Sequence, residues 1–377
     1  MSEIKLSHAK VSGITACIPE SFVNIDDEIK YYDNNIKILE RNKNILGLGK
    51  RHITDEQTTA ADLCEFAAND LLTSLQIEKN SIDVLIMSSI SLDFTTPATA
   101  CVLQHRLGLS ENCTCFDLTG LSCSAYVHGL MLAHSLVSNG AAQRVLLLSG
   151  DTLSKHTDRR NRVSNMLFGD AGTATLIEKT IEERTAYFYT GTRGNGWNKI
   201  IAPAGGSYMP IRKDIADIEV QDDKGNVWHL WDKIMKGLDV FKFATDIGPK
   251  GIKKILEMSQ KNIDDIDYFA FHQANKQIVQ SIAAYSGLPK GKYSTQAFSD
   301  YGNCGAAAVV LDLCLQQREK KHKKICLATF GVGLSFGFSF LNMADTYIGE
   351  IKYYKNTNDK LTREEKIKYW ISYFQGE

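Results

Sequence analysis

Three short runs of nearly unbroken apolar residues constrain this chain more than any other feature: I-D-V-L-I-M-S-S at 82–89, R-V-L-L-L-S-G at 144–150 and I-C-L-A-T-F at 325–330. Strands without polar alternation are buried on both faces, the habit of parallel strands covered by helices. Helical segments lie between them. Thr59 and Asp62 form a capping-box pattern that opens an Ala- and Leu-rich helix through about Leu75, and Pro97 opens another to about Leu107. Residues 9–18 read as an opening strand ending at Pro19, residues 25–40 as weakly helical, and residues 228–259 as mostly helical. Alternating helices and buried strands make the class α/β with parallel strands.

The second half of the chain echoes the first. E-K-N-S-I-D-V-L-I-M-S-S at 78–89 and K-N-I-D-D-I-D-Y-F-A-F-H at 261–272 share a helix end, K-N, I-D and then an apolar strand. This predicts an internal duplication, two α/β halves packed together. A length of 377 residues accommodates both. The tail from 345 is charged, and its Ile367, Trp370, Ile371 and Phe374 share one helical face suited to covering a core or an interface. The basic run R-E-K-K-H-K-K at 318–324 reads as a solvated turn, with carrier-protein docking as the sharper alternative.

Charge and cysteine usage narrow the partners. A net charge of -1 gives no reason to expect nucleic acid, and no apolar run reaches the length of a membrane span. Nine cysteines, odd in number and scattered, read as reduced thiols of a cytoplasmic protein. Cys113, Cys115 and Cys123 lack the second C-x-x-C pair of a structural zinc site. The G-x-x-G-x-G within the Gly- and Pro-rich stretch 191–210 lacks the preceding strand and following helix of a phosphate loop, so this stretch reads as a connection or a substrate-flanking loop.

Three residues carry chemistry. In C-F-D-L-T-G-L-S-C-S-A-Y-V-H-G at 115–129, a strand Cys115–Leu118 turns at Gly120 into a helix starting near Ser122, with Tyr126, Leu130, His134 and Val137 on one face. Cys123 stands at the start of that helix, where unpaired N–H groups and the dipole lower a thiol pKa. His272 follows a strand, and Asn303 sits between Gly302 and Gly305. A thiolate takes an acyl group from a thioester. Two hydrogen-bond donors, His272 Nε2–H and the Asn303 amide, then lower the barrier to enolate formation when a malonyl thioester loses CO2.

With F-D-L-x-x-x-x-C-S-A around Cys123, F-G-D-A-G at 168–172, H-Q-A-N at 272–275, Y-G-N at 301–303 and G-V-G-L-S-F-G at 331–337, the chain from about residue 9 to 342 resembles the ketoacyl-ACP synthase III family of the thiolase superfamily. The resemblance implies a duplicated five-layer α/β/α/β/α fold, normally a homodimer, with halves at 1–180 and 181–344 and an extension at 345–377. It implies Cys123 as nucleophile, His272 and Asn303 as the decarboxylation pair, and the amides of Cys123 and Gly333 as oxyanion donors. It further implies Asn275 on the pantetheine channel, Lys242 in carrier-protein docking and an effect of Tyr126 on the acyl pocket. The substrates it implies are phosphopantetheine thioesters of acyl carrier protein or coenzyme A, with no permanently bound cofactor and no metal. In E-R-N-K-N-I-L-G-L-G-K-R-H-I at 40–53 the family's Trp is missing, with Arg41 and Ile45 near the adenine-clasping places, which favours a carrier-protein donor over coenzyme A.

Other readings fare less well. A papain-like protease uses Cys, His and Asn in this order but lacks the α/β repeat and has a different local Cys signature. A degradative thiolase needs a second cysteine where F-G-V-G stands at 330–333, and the acid that a hydroxymethylglutaryl synthase requires has no identifiable counterpart. An acyltransferase passing the group to an amine or alcohol without decarboxylation stays open, as does a non-catalytic partner subunit.

Overall fold

A computed structural model describes residues 2–317, 322–356 and 360–375. Eleven strands build its two large sheets. They are β1 (Ser2–Ser7), β2 (Ala9–Pro19), β3 (Val84–Ser88), β4 (Thr114–Leu118), β5 (Arg144–Thr152), β6 (Asp170–Lys179), β7 (Thr185–Thr192), β8 (Tyr268–Phe271), β9 (Lys324–Gly331), β10 (Ser335–Asn342) and β11 (Tyr347–Tyr354). The longer helices are α1 (Ile36–Leu46), α2 (Ala60–Ser74), α3 (Thr99–Leu107), α4 (Ala125–Ser138), α5 (Gly237–Ser259), α6 (Lys276–Tyr285), α7 (Ala308–Gln317) and α8 (Arg363–Gln375).

The first sheet runs β11-β2-β6-β5-β3-β4 and the second β1-β7-β10-β9-β8. Within them β2-β6-β5-β3 and β7-β10-β9-β8 have the same order and the same directions, β3 parallel to β5 as β8 is parallel to β9. The I-D echo in the sequence has a structural counterpart. Asp83 accepts the N–H groups of Gln143 (2.7 Å) and Arg144 (3.0 Å), while Asp267 accepts those of Lys323 and Lys324 at 2.8 Å each. In each half one aspartate pins the start of the neighbouring parallel strand.

Three apolar layers separate the elements. Helices α2 and α3 cover the outside of the first sheet, and Thr59 caps α2 reciprocally with Asp62 as its sequence requires. Helices α4 and α7 lie between the sheets, with Tyr126, Leu130 and Val137 packed there, and α5 and α6 cover the outside of the second. The result is the expected α/β/α/β/α stack.

Several elements differ from the sequence reading. Helix α5 starts only at Gly237, because Asp232 accepts the His229 N–H (2.6 Å) and closes a turn. The stretch before it forms short strands, Val227–His229 against Glu219–Gln221 and Ile234–Met235 against Ile200–Ile201. The ends of the chain also exchange sheets. β1, in the first half by sequence, lines the edge of the second sheet beside β7, and β11, in the extension, pairs in parallel with β2 of the first. The apolar stripe of α8 covers no core among the described residues: Ile367, Trp370, Ile371 and Phe374 are exposed, with Trp370 edge-on to Phe94. Of the basic run at 318–324, residues 318–321 lie outside the described residues. No helix among the described residues is long and apolar enough to cross a membrane.

Candidate active site

A cavity of about 850 Å³ reaches from the surface near α1 and α5 to the start of α4 and takes in Cys123, His272 and Asn303 together. The three arrive from different elements. Cys123 lies in the 3-10 turn Ser122–Ser124 that feeds α4. Ser122 has φ +49°, a left-handed backbone that turns the chain sharply just before the nucleophile. Gly331 at the end of β9 packs so tightly on this turn that a Cβ there would meet Leu121 O at 2.1 Å. The Val332 N–H also donates to Leu121 O (3.2 Å), so the end of β9 holds the nucleophile turn in place.

Asn303 is held by its backbone. Its N–H donates to Leu167 O (2.7 Å), and its carbonyl accepts from Gly169 N–H (3.1 Å). Its side-chain Oδ1 accepts from Gly305 N–H (3.1 Å) and lies 3.9 Å from Cys123 Sγ. With that oxygen occupied, the amide NH₂ is the end available to a substrate. Asp151, unmentioned by the sequence reading, braces the same turn. Its fully buried carboxylate accepts from Ser89 Oγ (3.0 Å), Ile90 N–H (2.8 Å) and Ala306 N–H (3.2 Å). Gly305, at φ +59°, is required beside it, since a Cβ would stand 2.2 Å from Asp151 Oδ2.

His272 follows β8, its N–H donating to Ala328 O (2.8 Å). Burial lowers its pKa to about 3, so the imidazole is neutral at physiological pH. Nδ1 is closed off from water with no hydrogen-bond partner among the described residues. With no acceptor at Nδ1, the proton is better placed on Nε2, the tautomer a hydrogen-bond donor to substrate requires.

The Cys123 thiol departs from the sequence expectation. Burial pushes its pKa up to about 12, against the opposing pull of the Ser122 hydroxyl (3.5 Å from Sγ) and the Lys233 ammonium. Helix-end stabilisation is outweighed by the loss of water, so the resting nucleophile is a thiol. Carbamidomethylation of Cys123 by iodoacetamide should therefore rise about tenfold per pH unit between pH 7 and 9 without levelling off, since the thiolate fraction grows in proportion to hydroxide below the pKa. A plateau below pH 8 in a mass-resolved time course would show a depressed pKa instead.

The remaining sequence candidates fall on both sides of the cavity wall. Asn275 lines the cavity while its Oδ1 caps α6 by accepting Ile278 N–H (2.9 Å). Lys242 is exposed on α5, whose Leu238, Val240 and Phe241 line the cavity. At the second glycine turn the wall is Gly331 and Val332, followed by Gly333 at φ +124°. Tyr126 does not line the cavity. As the second residue of α4, it packs its ring between the sheets, 1% exposed, with its hydroxyl 3.1 Å from Thr175 Oγ1. On α1 the cavity-facing residues are Ile38, Asn42 and Leu46, while Arg41 and Ile45 face solvent. Sequence reasoning missed three cations on the wall, Arg162, Lys224 and Lys233.

Comparison with known proteins agrees with this geometry. Residues 116–194 match the family model of 3-oxoacyl-[acyl-carrier-protein] synthase III, and residues 256–343 match the model of its C-terminal part. A putative 3-oxoacyl-[acyl-carrier-protein] synthase 3 of Campylobacter jejuni is 38% identical, the match covering 93% of this chain and 98% of that protein. The beta-ketoacyl-[acyl-carrier-protein] synthase III of Acholeplasma laidlawii is 32% identical over 86% of this chain and 95% of its own. The crystal structure of a 3-oxoacyl-(acyl-carrier protein) synthase from Burkholderia xenovorans superposes with a TM-score of 0.84 at 31% identity, covering 93% of this chain and 99% of that one. By sequence, fold and the convergence of Cys, His and Asn on one cavity, this chain belongs to the 3-oxoacyl-[acyl-carrier-protein] synthase III family.

Proposed function

We propose that this chain condenses an acyl group held on Cys123 with malonyl-ACP, releasing CO2 and giving a 3-oxoacyl-ACP. In the first half-reaction Cys123 sulfur attacks the thioester carbonyl, and the pantetheine thiol leaves with the proton that Cys123 gave up. The amides of Cys123 and Gly333 are the donors to the tetrahedral oxyanion. In the second, the bond from the malonyl methylene to its carboxylate breaks and the electron pair passes into an enolate. His272 Nε2–H and Asn303 Nδ2–H stabilise that oxygen. The enolate carbon then attacks the acyl-Cys123 carbonyl, and Cys123 sulfur leaves as a thiolate that takes a proton from solvent to restore the resting thiol.

One observation carries this reading: a neutral imidazole and a carboxamide whose oxygen is already bonded both face the cavity that holds the thiol. Transfer to an amine or alcohol would need a general base, and a histidine whose pKa is near 3 is a poor one. Asn275 serves the pantetheine arm and Lys242 the acidic carrier protein at the mouth. The cavity face of α1, with Ile38, Asn42 and Leu46, offers no aromatic ring for an adenine, which supports a carrier-protein donor. Strand β4 ends the first sheet half-buried and paired on one side only, the edge at which a second copy would extend the sheet into a homodimer. Nine free thiols suit a reducing, cytoplasmic setting.

Incubation with acyl-ACP or acyl-CoA should add one acyl mass to the protein, and later addition of malonyl-ACP should discharge it as a 3-oxoacyl-ACP. Discharge to an ester or amide with no CO2 released would establish the transferase alternative.

A further inference from the structure

The wall of the cavity carries a cation for which the condensation has no use. Lys233 lies between the turn residue Asp232 and the short strand Ile234–Met235, its backbone N–H donating to His156 O (3.1 Å). Its side chain lines the cavity that contains Cys123, and the two are close enough for their charges to interact. The ammonium nitrogen is closed off from water and has no hydrogen-bond partner among the described residues. The carboxylates whose charge it feels, Asp151 and Asp170, are occupied elsewhere: Asp151 by Ser89, Ile90 and Ala306, Asp170 by Thr54 and Ser154. The cavity lining includes the apolar Leu153, Phe168 and Met235 beside polar groups such as Asn226 and Asn303.

A buried, unpaired ammonium weakens a fold, and a leucine or methionine would fill the same space without that cost. Such a group is accounted for when a bound anion completes it. Burial lowers the Lys233 pKa to about 8, so an anion beside it would also restore its hold on the proton.

We propose that Lys233 receives a carboxylate on the acyl donor, so that the preferred donor is a short dicarboxylic acyl thioester whose free carboxylate reaches the ammonium while its carbonyl is on Cys123. This rests on the acyl-Cys123 reading. The malonyl unit also carries a carboxylate, but that group must leave as neutral CO2. A cation holding it would stabilise the ground state more than the transition state and slow the step. A carboxylate that persists through both half-reactions has no such conflict.

The test measures acyl loading by intact-mass spectrometry with succinyl-pantetheine and butyryl-pantetheine, which match in chain length and differ in charge. The wild type should load succinyl at least about tenfold faster than butyryl, the gain expected of one charge-assisted hydrogen bond. Lys233→Met should bring the ratio to one or below, and Lys233→Arg should keep it above one. A wild-type preference for butyryl, or a ratio that Lys233→Met leaves unchanged, overturns the proposal. So does a Lys233→Met variant that changes only the KM for the malonyl thioester, which would assign the cation to the extender. Failure of every donor to label Cys123 would instead strike the acyl-enzyme reading itself. Thermal melts of both variants establish that they fold.

Discussion

Cys123→Ala should stop acyl loading outright while leaving the fold intact. The substitution removes one sulfur from a side chain that faces the cavity, so the packing around it changes little. Its neighbours are held by other bonds: Ser124 Oγ by Ser335 Oγ (2.6 Å), and the turn by Val332 N–H on Leu121 O. Melting temperature should therefore stay within a few degrees, the shift expected for less than about 1 kcal/mol. The rate of condensation should fall by on the order of 10⁴-fold or more, because no other group can carry the covalent intermediate. Intact-mass spectrometry after incubation with acyl-ACP is the measurement. Loading that persists in Cys123→Ala, on any of the other cysteines, would remove Cys123 from its role.

The second large effect separates the two half-reactions. His272→Ala and Asn303→Ala should still accept the acyl group on Cys123 but lose malonyl decarboxylation by about 10²- to 10³-fold each, the typical cost of one donor to a developing oxyanion. The double variant should lose less than the product of the two, since the pair acts on one oxygen. Asn303→Ala carries a further cost, because its Oδ1 also accepts Gly305 N–H, so a melt must accompany it. Release of CO2 from labelled malonyl-ACP reads the step directly. The pH dependence follows from burial: a histidine pKa near 3 means His272 stays neutral as pH falls from 8 to 5 and is protonated only on approaching pH 3. Decarboxylation by pre-acylated enzyme should accordingly show no acid limb from His272 across that range. A limb near pH 6 that disappears in His272→Gln would mean the ring titrates at its ordinary value.

The residues that sequence located best are those with short, local signals. Cys123 at a strand-to-helix turn, His272 at the end of an apolar strand and Asn303 between glycines are set by a few neighbours each. For Tyr126 the pattern itself argues against a place on the acyl pocket. It shares the stripe of Leu130, His134 and Val137, and that stripe is buried between the sheets, so it cannot also face the cavity. Lys233 gave no signal, because residues 227–236 have a helix-like composition and only the Asp232–His229 turn breaks them into strands. Asp151 closes an ordinary apolar strand, and its bracing role depends on Ser89, Ile90 and Ala306, distant in sequence. The thiol pKa departs from the sequence expectation for a related reason: helix position is written locally, whereas burial depends on the whole cavity.

The exchange of end strands bears on how the molecule is made. β11 completes the first sheet beside β2, and β1 extends the second beside β7. During synthesis the N-terminal half can gather its helices early, yet one flank of β2 stays uncovered until Tyr347–Tyr354 has been made. An unfinished flank of this kind is a site for mispairing with other nascent chains. A chain cut at about residue 343 would carry that flank permanently, and its poor recovery would trace to it before any fault in the catalytic cavity.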